Sequence, residues 1–257
     1  MLDSIVARRR AQLERWRAMH SRGWLEERTS SAATGRNFKA AIEAGPVPAL
    51  IAECKQRSPS GGELVPDYDV GRIVAAFEHA GASAISVLTN EDDFGGQVED
   101  LLLARRACSL PLLRKDFLLD EEEMAESRAG GADCVLLIAR IHGESRLKEM
   151  CAAAHEQGLQ VLLELYSDSE LEGALRAQPD LLGINQRNLD TLEIDDAIFQ
   201  RVAPLVPEGL PLVAESGVGT RGQMLAAARA GARAVLAGES LLRAPDLEVK
   251  VRELLGR

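Results

Sequence analysis

The chain has 257 residues, with 30 Lys and Arg against 40 Asp and Glu, giving a formal net charge of −10. That balance speaks against a nucleic-acid binder, which presents a basic face, but a local Lys/Arg cluster can still serve a small anion. No apolar run reaches the roughly 18 residues of a membrane span, and Met1-Leu2-Asp3-Ser4-Ile5 lacks the apolar region of a signal peptide, so a cytoplasmic protein is expected, with neither nucleic acid nor membrane among its partners. A chain of this length buries a full core without disulfides or metals.

Residues 1–45 differ from the rest. Leu2, Ile5, Val6, Leu13 and Trp16 share one helical face, with Arg8, Arg9, Arg10, Glu14 and Arg15 mostly on the solvated side. A polar stretch over 29–35 and a short helical piece over 38–44 follow. The segment reads as an N-terminal helical extension lying across a larger body.

From Pro46 a unit repeats: an Ala-rich, charged helix ends in Gly and an apolar strand follows at once, as in Ala129-Gly130-Gly131-Ala132-Asp133 before Cys134-Val135-Leu136-Leu137-Ile138. Glycine at a helix C-terminus before a continuous apolar strand returns the chain to a buried parallel sheet. Strands are predicted at 48–53, 84–88, 111–114, 134–138, 160–164, 181–185, 211–214 and 234–237. Helices are predicted at 69–80, 97–107, 120–129, 144–157, 168–176, 196–204, 220–229 and 241–254. Eight βα units in one α/β domain spanning 1–257 match a (β/α)8 TIM barrel. An open nucleotide-binding sheet is disfavoured, because no GxGxxG or GxxxxGK[ST] follows a strand.

Cys54, Cys108, Cys134 and Cys151 form no CxxC, and His20, His79, His142 and His155 form no HxH or HExxH. Neither a metal nor a cofactor is expected, and the cysteines read as small buried hydrophobes in a reducing compartment.

Active sites of such barrels lie at the C-terminal strand ends. Those ends carry Glu53-Cys54-Lys55 with Ser58, then Ser86, Arg114-Lys115-Asp116-Phe117, Glu164, Asn185-Gln186-Arg187, Glu215-Ser216-Gly217 and Gly238-Glu239-Ser240. The opposite ends show little beyond Ala, Gly and Pro. Taken singly, Glu53 and Lys55 are an ion pair of small consequence, and Ser216-Gly217 is ordinary turn chemistry. Gathered around one mouth, three carboxylates and two lysines form a set that moves protons. The turns after the last two strands open helices with glycine, which suits a phosphate, and Ser58 and Arg187 add side-chain donors. The residues alone therefore describe a barrel enzyme for a phosphorylated small molecule, without naming the reaction.

At these same residues the chain resembles the indole-3-glycerol-phosphate synthase family of tryptophan biosynthesis. Glu53-Cys54-Lys55-Gln56-Arg57-Ser58-Pro59-Ser60 is similar to that family's ExKxxSPS signature. Ile85-Ser86-Val87-Leu88-Thr89, Leu113-Arg114-Lys115-Asp116-Phe117, Gly183-Ile184-Asn185-Gln186-Arg187-Asn188-Leu189, Ala214-Glu215-Ser216-Gly217 and Gly238-Glu239-Ser240 follow in order. The resemblance implies closure of an indole ring with loss of carbon dioxide and water. It implies Lys115 as general acid and Glu164 as a group assisting dehydration. Lys55 would contact the substrate carboxylate and is a second candidate acid. Glu53, Asn185, Glu215 and Ser216 would position these groups; Ser58, Arg187, Gly217, Gly238 and Ser240 would contact substrate or phosphate, and Phe94 and Phe117 the aromatic ring. It implies a monomer or weak homodimer, with association with other tryptophan-pathway enzymes possible. Departures from the family pattern are Asp92-Asp93 before Phe94, Gly61-Gly62 where a lysine is common, Leu165-Tyr166 after Glu164 where Val-His is common, and Gln186. The alternatives are a related phosphate-binding barrel isomerase and a sugar-phosphate-binding paralogue that does not turn over.

Overall fold

A computed structural model describes residues 2–19, 22–30, 34–59, 61–188, 191–195 and 197–257; Ser60 and Leu189 of the motifs above, and Ser31 to Ala33 of the polar stretch, lie outside them. Eight parallel strands close into a barrel: β1 (Ala49–Cys54), β2 (Ala84–Leu88), β3 (Leu112–Lys115), β4 (Cys134–Ile138), β5 (Gln160–Leu165), β6 (Leu181–Asn185), β7 (Leu212–Glu215) and β8 (Ala234–Ala237). Closure pairs Ala49 of β1 with Ala234 of β8 and Ile51 of β1 with Ala84 of β2. Gly81 and Gly131 end their helices at φ 99° and 94°, a backbone region open to glycine at little cost. The next amides, Ala82 and Ala132, bond back to Phe77 and Ser127, which turns the chain into β2 and β4.

Strand alternation sorts side chains into two cores. Leu50, Ala52, Val87, Val135, Leu163 and Ile184 point outward and pack under the helices. Ala49, Ile51, Leu113, Leu136, Leu162, Leu181, Val213 and Leu236 point into the barrel. The same alternation carried upward puts Glu53, Lys55, Lys115, Glu164 and Glu215 on the inner face above an apolar floor.

The N-terminal extension is three helices: α1 (Leu2–Met19), α2 (Arg22–Ser30) and α3 (Phe38–Ala44). The second is not among the segments expected from the sequence. Phe38 and Ile42 of α3 are fully buried against Ala49 and Ile51, closing the lower end, where Arg233 donates to the Glu43, Gly45 and Pro46 carbonyls. Ile5 of α1 joins Phe117 and Phe94 at the opposite, open end. One expectation is corrected. Arg9 is not on the solvated face; it is buried, 2.5 Å from Glu123 and 3.5 Å from Asp116. Two carboxylates on the barrel face the buried guanidinium and supply the opposite charge that burying an arginine requires.

The observed helices otherwise follow the expected segments, from Val70–Ala80 to Arg221–Arg229. The expected helix over 241–254 is broken into Glu239–Leu242 and Leu247–Leu255. Pro245 cannot donate to a continuing helix, and Asp246 caps the second piece by accepting from Val249 N at 3.0 Å. The lower strand ends also hold more polar chemistry than expected. Asp133 is buried there and accepts from Leu112 N, Arg36 N and Arg105, tying loop to strand. No described helix is long and apolar enough to cross a membrane.

Candidate active site

A cavity of about 600 Å³ opens at the C-terminal mouth of the barrel, within the range that encloses a small ligand. Every residue to which the resemblance gives a role lines it: Glu53, Lys55, Ser58, Phe94, Lys115, Phe117, Glu164, Asn185, Arg187, Glu215, Ser216, Gly217, Gly238 and Ser240; Ser86, Arg114 and Gln186 of the same strand ends are not among the lining residues.

Lys115, the last residue of β3, projects across the barrel. Its Nζ lies 2.9 Å from Glu164 Oε2 and 3.3 Å from Glu215 Oε2. Burial works against its charge, but Glu164, Glu215 and Glu53 outweigh burial and hold the ammonium well above the usual lysine range. Two carboxyls face this one ammonium, and they divide. Burial would raise Glu164, yet Lys115, the facing Glu215 carboxyl and the hydroxyl of Tyr166 hold it below its usual value. Burial and the neighbouring Glu164 charge push Glu215 well above its own. The buried cluster therefore sets one ammonium against two carboxyls shifted in opposite directions, Glu164 down and Glu215 up. Lys55 forms a second pair on the β1 side, its Nζ 2.5 Å from Glu53 Oε1.

Two glycines make room for these carboxyls. A β-carbon on Gly183 would stand 2.1 Å from Glu215 Oε1, and one on Gly238 would stand 2.5 Å from Glu53 Oε1. Gly238 thus has a steric role toward Glu53 as well as a place on the cavity wall.

The turns after β7 and β8 form the glycine-rich side of the cavity. Ser216 and Gly217 adopt φ 67° and 77°, unusual for a serine. Ser216 Oγ donates to Asn185 Oδ1 at 2.8 Å, and Gln186 Nε2 donates to the Ser216 carbonyl, also at 2.8 Å. Ser240 Oγ donates to the Val218 carbonyl at 3.1 Å. Arg187 is held by the Leu192 carbonyl at 3.0 Å, and Ser58 Oγ accepts from Gly61 N at 3.0 Å. The opposite wall is apolar: the rings of Phe94 and Phe117 lie 6.3 Å apart, with Ile5, Leu136 and Ile138 beside them. Asp93, part of the Asp92-Asp93 departure, pairs with Arg8 of α1 at 2.5 Å and anchors the Phe94 segment to the extension.

Two of the lining residues that were not assigned to the site from the sequence bring polar chemistry to it. Arg243 reaches from beyond the short Glu239–Leu242 helix to the Gly61 carbonyl at 2.6 Å while pairing with Glu239 at 3.0 Å. It brings a cation to the loop that lacks the common lysine, and no spacing rule links it to that loop. Tyr166, noted only as a departure, is buried beside Glu164. Its signal was available: two residues beyond Glu164, it falls on the same inner face.

The whole chain matches known proteins. A family model described as indole-3-glycerol phosphate synthase matches residues 2–254. An indole-3-glycerol phosphate synthase 2 of Streptomyces coelicolor is 40% identical over 256 residues, covering 100% of this chain and 99% of the relative. An indole-3-glycerol phosphate synthase of Rhodospirillum rubrum is 41% identical over 236 residues, covering 91% and 86%. Among solved structures, the tryptophan synthase A-subunit of Pyrococcus furiosus superposes with a TM-score of 0.63 at 17% identity, covering 82% of this chain and 98% of that one. A thiamine phosphate pyrophosphorylase of the same organism gives 0.62 at 17%, covering 86% and 96%. The structural likenesses establish the barrel, and the sequence matches establish more: the chain belongs to the indole-3-glycerol phosphate synthase family.

Proposed function

We propose that the chain is a decarboxylating carbon–carbon lyase. It converts 1-(2-carboxyphenylamino)-1-deoxyribulose 5-phosphate to indole-3-glycerol phosphate, carbon dioxide and water. The observation that carries the reading is the buried Lys115 ammonium between Glu164 and Glu215, with an apolar wall on one side of the cavity and glycine-rich turns on the other.

In this reading the ring carbon that bears the carboxylate attacks the ketose carbonyl. The carbonyl electron pair moves to oxygen, which takes a proton from Lys115; an acid placed where charge develops is the effective arrangement. The carboxylate then leaves as carbon dioxide and its bonding pair restores the aromatic ring. Water departs next, with an acid protonating the leaving hydroxyl and a carboxylate taking a proton from the adjacent carbon. Glu164, kept anionic, suits the base, and Lys55 beside Glu53 suits the acid and a contact to the substrate carboxylate. Asn185, Ser216 and Glu215 orient these groups. Ser58, Arg187, Gly217, Gly238 and Ser240 receive the phosphate, and Phe94 and Phe117 flank the aromatic ring. The whole 1–257 chain acts as one domain in the cytoplasm, as a monomer or weak homodimer.

The test is incubation of the purified chain with this substrate while following indole fluorescence and released carbon dioxide. Both products are expected in equal amount, with inorganic phosphate competing against substrate. Folded protein that yields neither product overturns the reading.

A further inference from the structure

We infer that Tyr166 is a positioning residue that holds Glu164 and Asn185 in one hydrogen-bonded chain from Lys115 to Ser216, a role that rests on the function proposed above.

The geometry is continuous. The Tyr166 hydroxyl donates to Glu164 Oε1, and Glu164 Oε2 faces Lys115 Nζ at 2.9 Å. The same hydroxyl accepts from Asn185 Nδ2 at 3.2 Å. Asn185 Oδ1 accepts from Ser216 Oγ at 2.8 Å and from Arg187 N at 3.0 Å. One phenol therefore bridges β5 to β6, and through Asn185 reaches the turn after β7. A hydroxyl has one proton to donate and lone pairs to accept with. Here the proton goes to the carboxylate, which leaves the other carboxylate oxygen to Lys115. The Arg140 guanidinium lies 4.2 Å from the ring centroid on its outer side and pairs with Glu170 at 2.9 Å, away from the hydroxyl. Burial and the Glu164 charge push the phenol well above its usual range, so it stays a donor across the working pH.

The groups facing Glu164 are Lys115 from β3, Glu215 from β7 and Tyr166 just past the end of its own strand, with Glu53 and Lys55 on the far side of the mouth and Arg140 behind the ring. Of these, Lys115, the facing Glu215 carboxyl and Tyr166 favour the anion. Deleting the hydroxyl while keeping the ring removes one charge-assisted hydrogen bond, and Glu164 becomes easier to protonate.

The experiment compares the unaltered chain with Tyr166→Phe and with Arg140→Met, which leaves the hydroxyl in place. Two readouts are taken: the pH profile of turnover on the carboxyphenylamino-deoxyribulose phosphate, and direct titration of the Glu164 carboxyl by carbon-13 NMR. For Tyr166→Phe the Glu164 titration and the acid limb of kcat are expected to move up by about one pH unit, the size of one hydrogen bond to a charged group. At the pH optimum, kcat is expected to fall about 10-fold with KM changed less than about 2-fold, as for a group that acts mainly in the transition state. Arg140→Met is expected to leave both profiles in place. A Tyr166→Phe chain with an unmoved Glu164 titration overturns the inference, as does an equal shift in Arg140→Met, which would assign the effect to ring packing. Absence of turnover in the unaltered chain overturns the proposed function alone, and the titration then decides the role of Tyr166 by itself.

Discussion

The carboxyl of Glu215 occupies the space in which a β-carbon on Gly183 would stand, with Oε1 2.1 Å from that position. Gly183 and Glu215 lie on neighbouring strands, and Asn185, two residues above Gly183, is the register partner of Glu215. The missing side chain on β6 lets Glu215 lean sideways within the barrel and still approach Lys115 at 3.3 Å. A residue chosen for what it lacks thus sets the position of one chosen for its charge.

Gly183→Ala is expected to fold, because the obstructing atom is the end of a side chain rather than backbone. Overpacking of this kind costs about 1–3 kcal/mol. The displaced carboxyl no longer meets Lys115, and a misplacement near 1 Å at a reacting centre costs on the order of 100-fold in rate. Thermal unfolding and single-turnover kinetics on one preparation check both halves. Unchanged turnover would remove Glu215 from the site.

Glu215 also makes a prediction about pH. Burial and the Glu164 charge raise its folded value above its unfolded one, so its contribution is complete only below the unfolded value, near pH 4, and is lost as pH rises toward the folded value. Glu215→Gln keeps the shape and cannot ionise. Its melting temperature relative to the parent chain is therefore expected to increase steadily between about pH 5 and pH 8. A relative melting temperature that stays flat over that interval would show that Glu215 is already ionised there.

The barrel was legible because its signals are local and repeated: a glycine at the helix end and then a short apolar run, as before β2, β4, β5 and β8, within eight alternating βα units. The inner-face carboxylates and lysines were legible by the same rule, since strand alternation fixes which side Glu53, Lys55 and Glu164 must take. Arg9 was misread because α1 offers no strand-like constraint. An arginine in an Arg-rich run reads as solvated unless its partners Glu123 and Asp116, more than a hundred residues away, are known to lie beneath it. The reach of Arg243 to Gly61 was equally hidden, because it depends on barrel closure between β8 and β1.

The buried cluster under α1 gives a third test. Burial would raise Asp116, but Arg9 and Arg114 hold it below its usual range. A lowered carboxyl contributes stability above its unfolded value and loses it as pH falls. Arg9→Met leaves Asp116 to Arg114, 3.3 Å away, and takes from Glu123 its 2.5 Å partner. Breaking one side of a buried ionic group costs about 3–5 kcal/mol, and for Arg9→Met the Asp116 part of that cost is expected to shrink as pH falls from about 7 toward 3. Because Ile5 of the same helix lines the cavity, the Michaelis constant is expected to rise as well. Denaturant unfolding at several pH values and steady-state kinetics read the two effects. Full stability at neutral pH would mean that Arg9 holds nothing in place.

Lys115 separates chemistry from architecture most sharply. The ammonium is raised and Glu164 is lowered by the same contact. Lys115 contributes below its unfolded value and loses that contribution only as pH rises through its higher folded one; Glu164 contributes above its unfolded value and loses it as pH falls. Their joint stabilisation therefore spans about pH 5 to pH 10. Lys115→Met fills the space without charge and leaves Glu164 buried beside Glu215 with no cation at hydrogen-bond distance. Its stability deficit is expected to be about 3 kcal/mol at pH 7 and to shrink toward pH 4, where Glu164 takes up a proton. Turnover answers a different question. A positioned general acid is worth about 100- to 10,000-fold, and its loss falls on the chemical step rather than on binding. Lys115→Met is expected to bind a product analogue with near-parental affinity and to lose at least about 100-fold in single-turnover rate. A variant that is destabilised in this pH window yet turns over normally would leave Lys115 as part of the buried ionic frame and assign the proton to another group, with Lys55 the nearest alternative in chemistry.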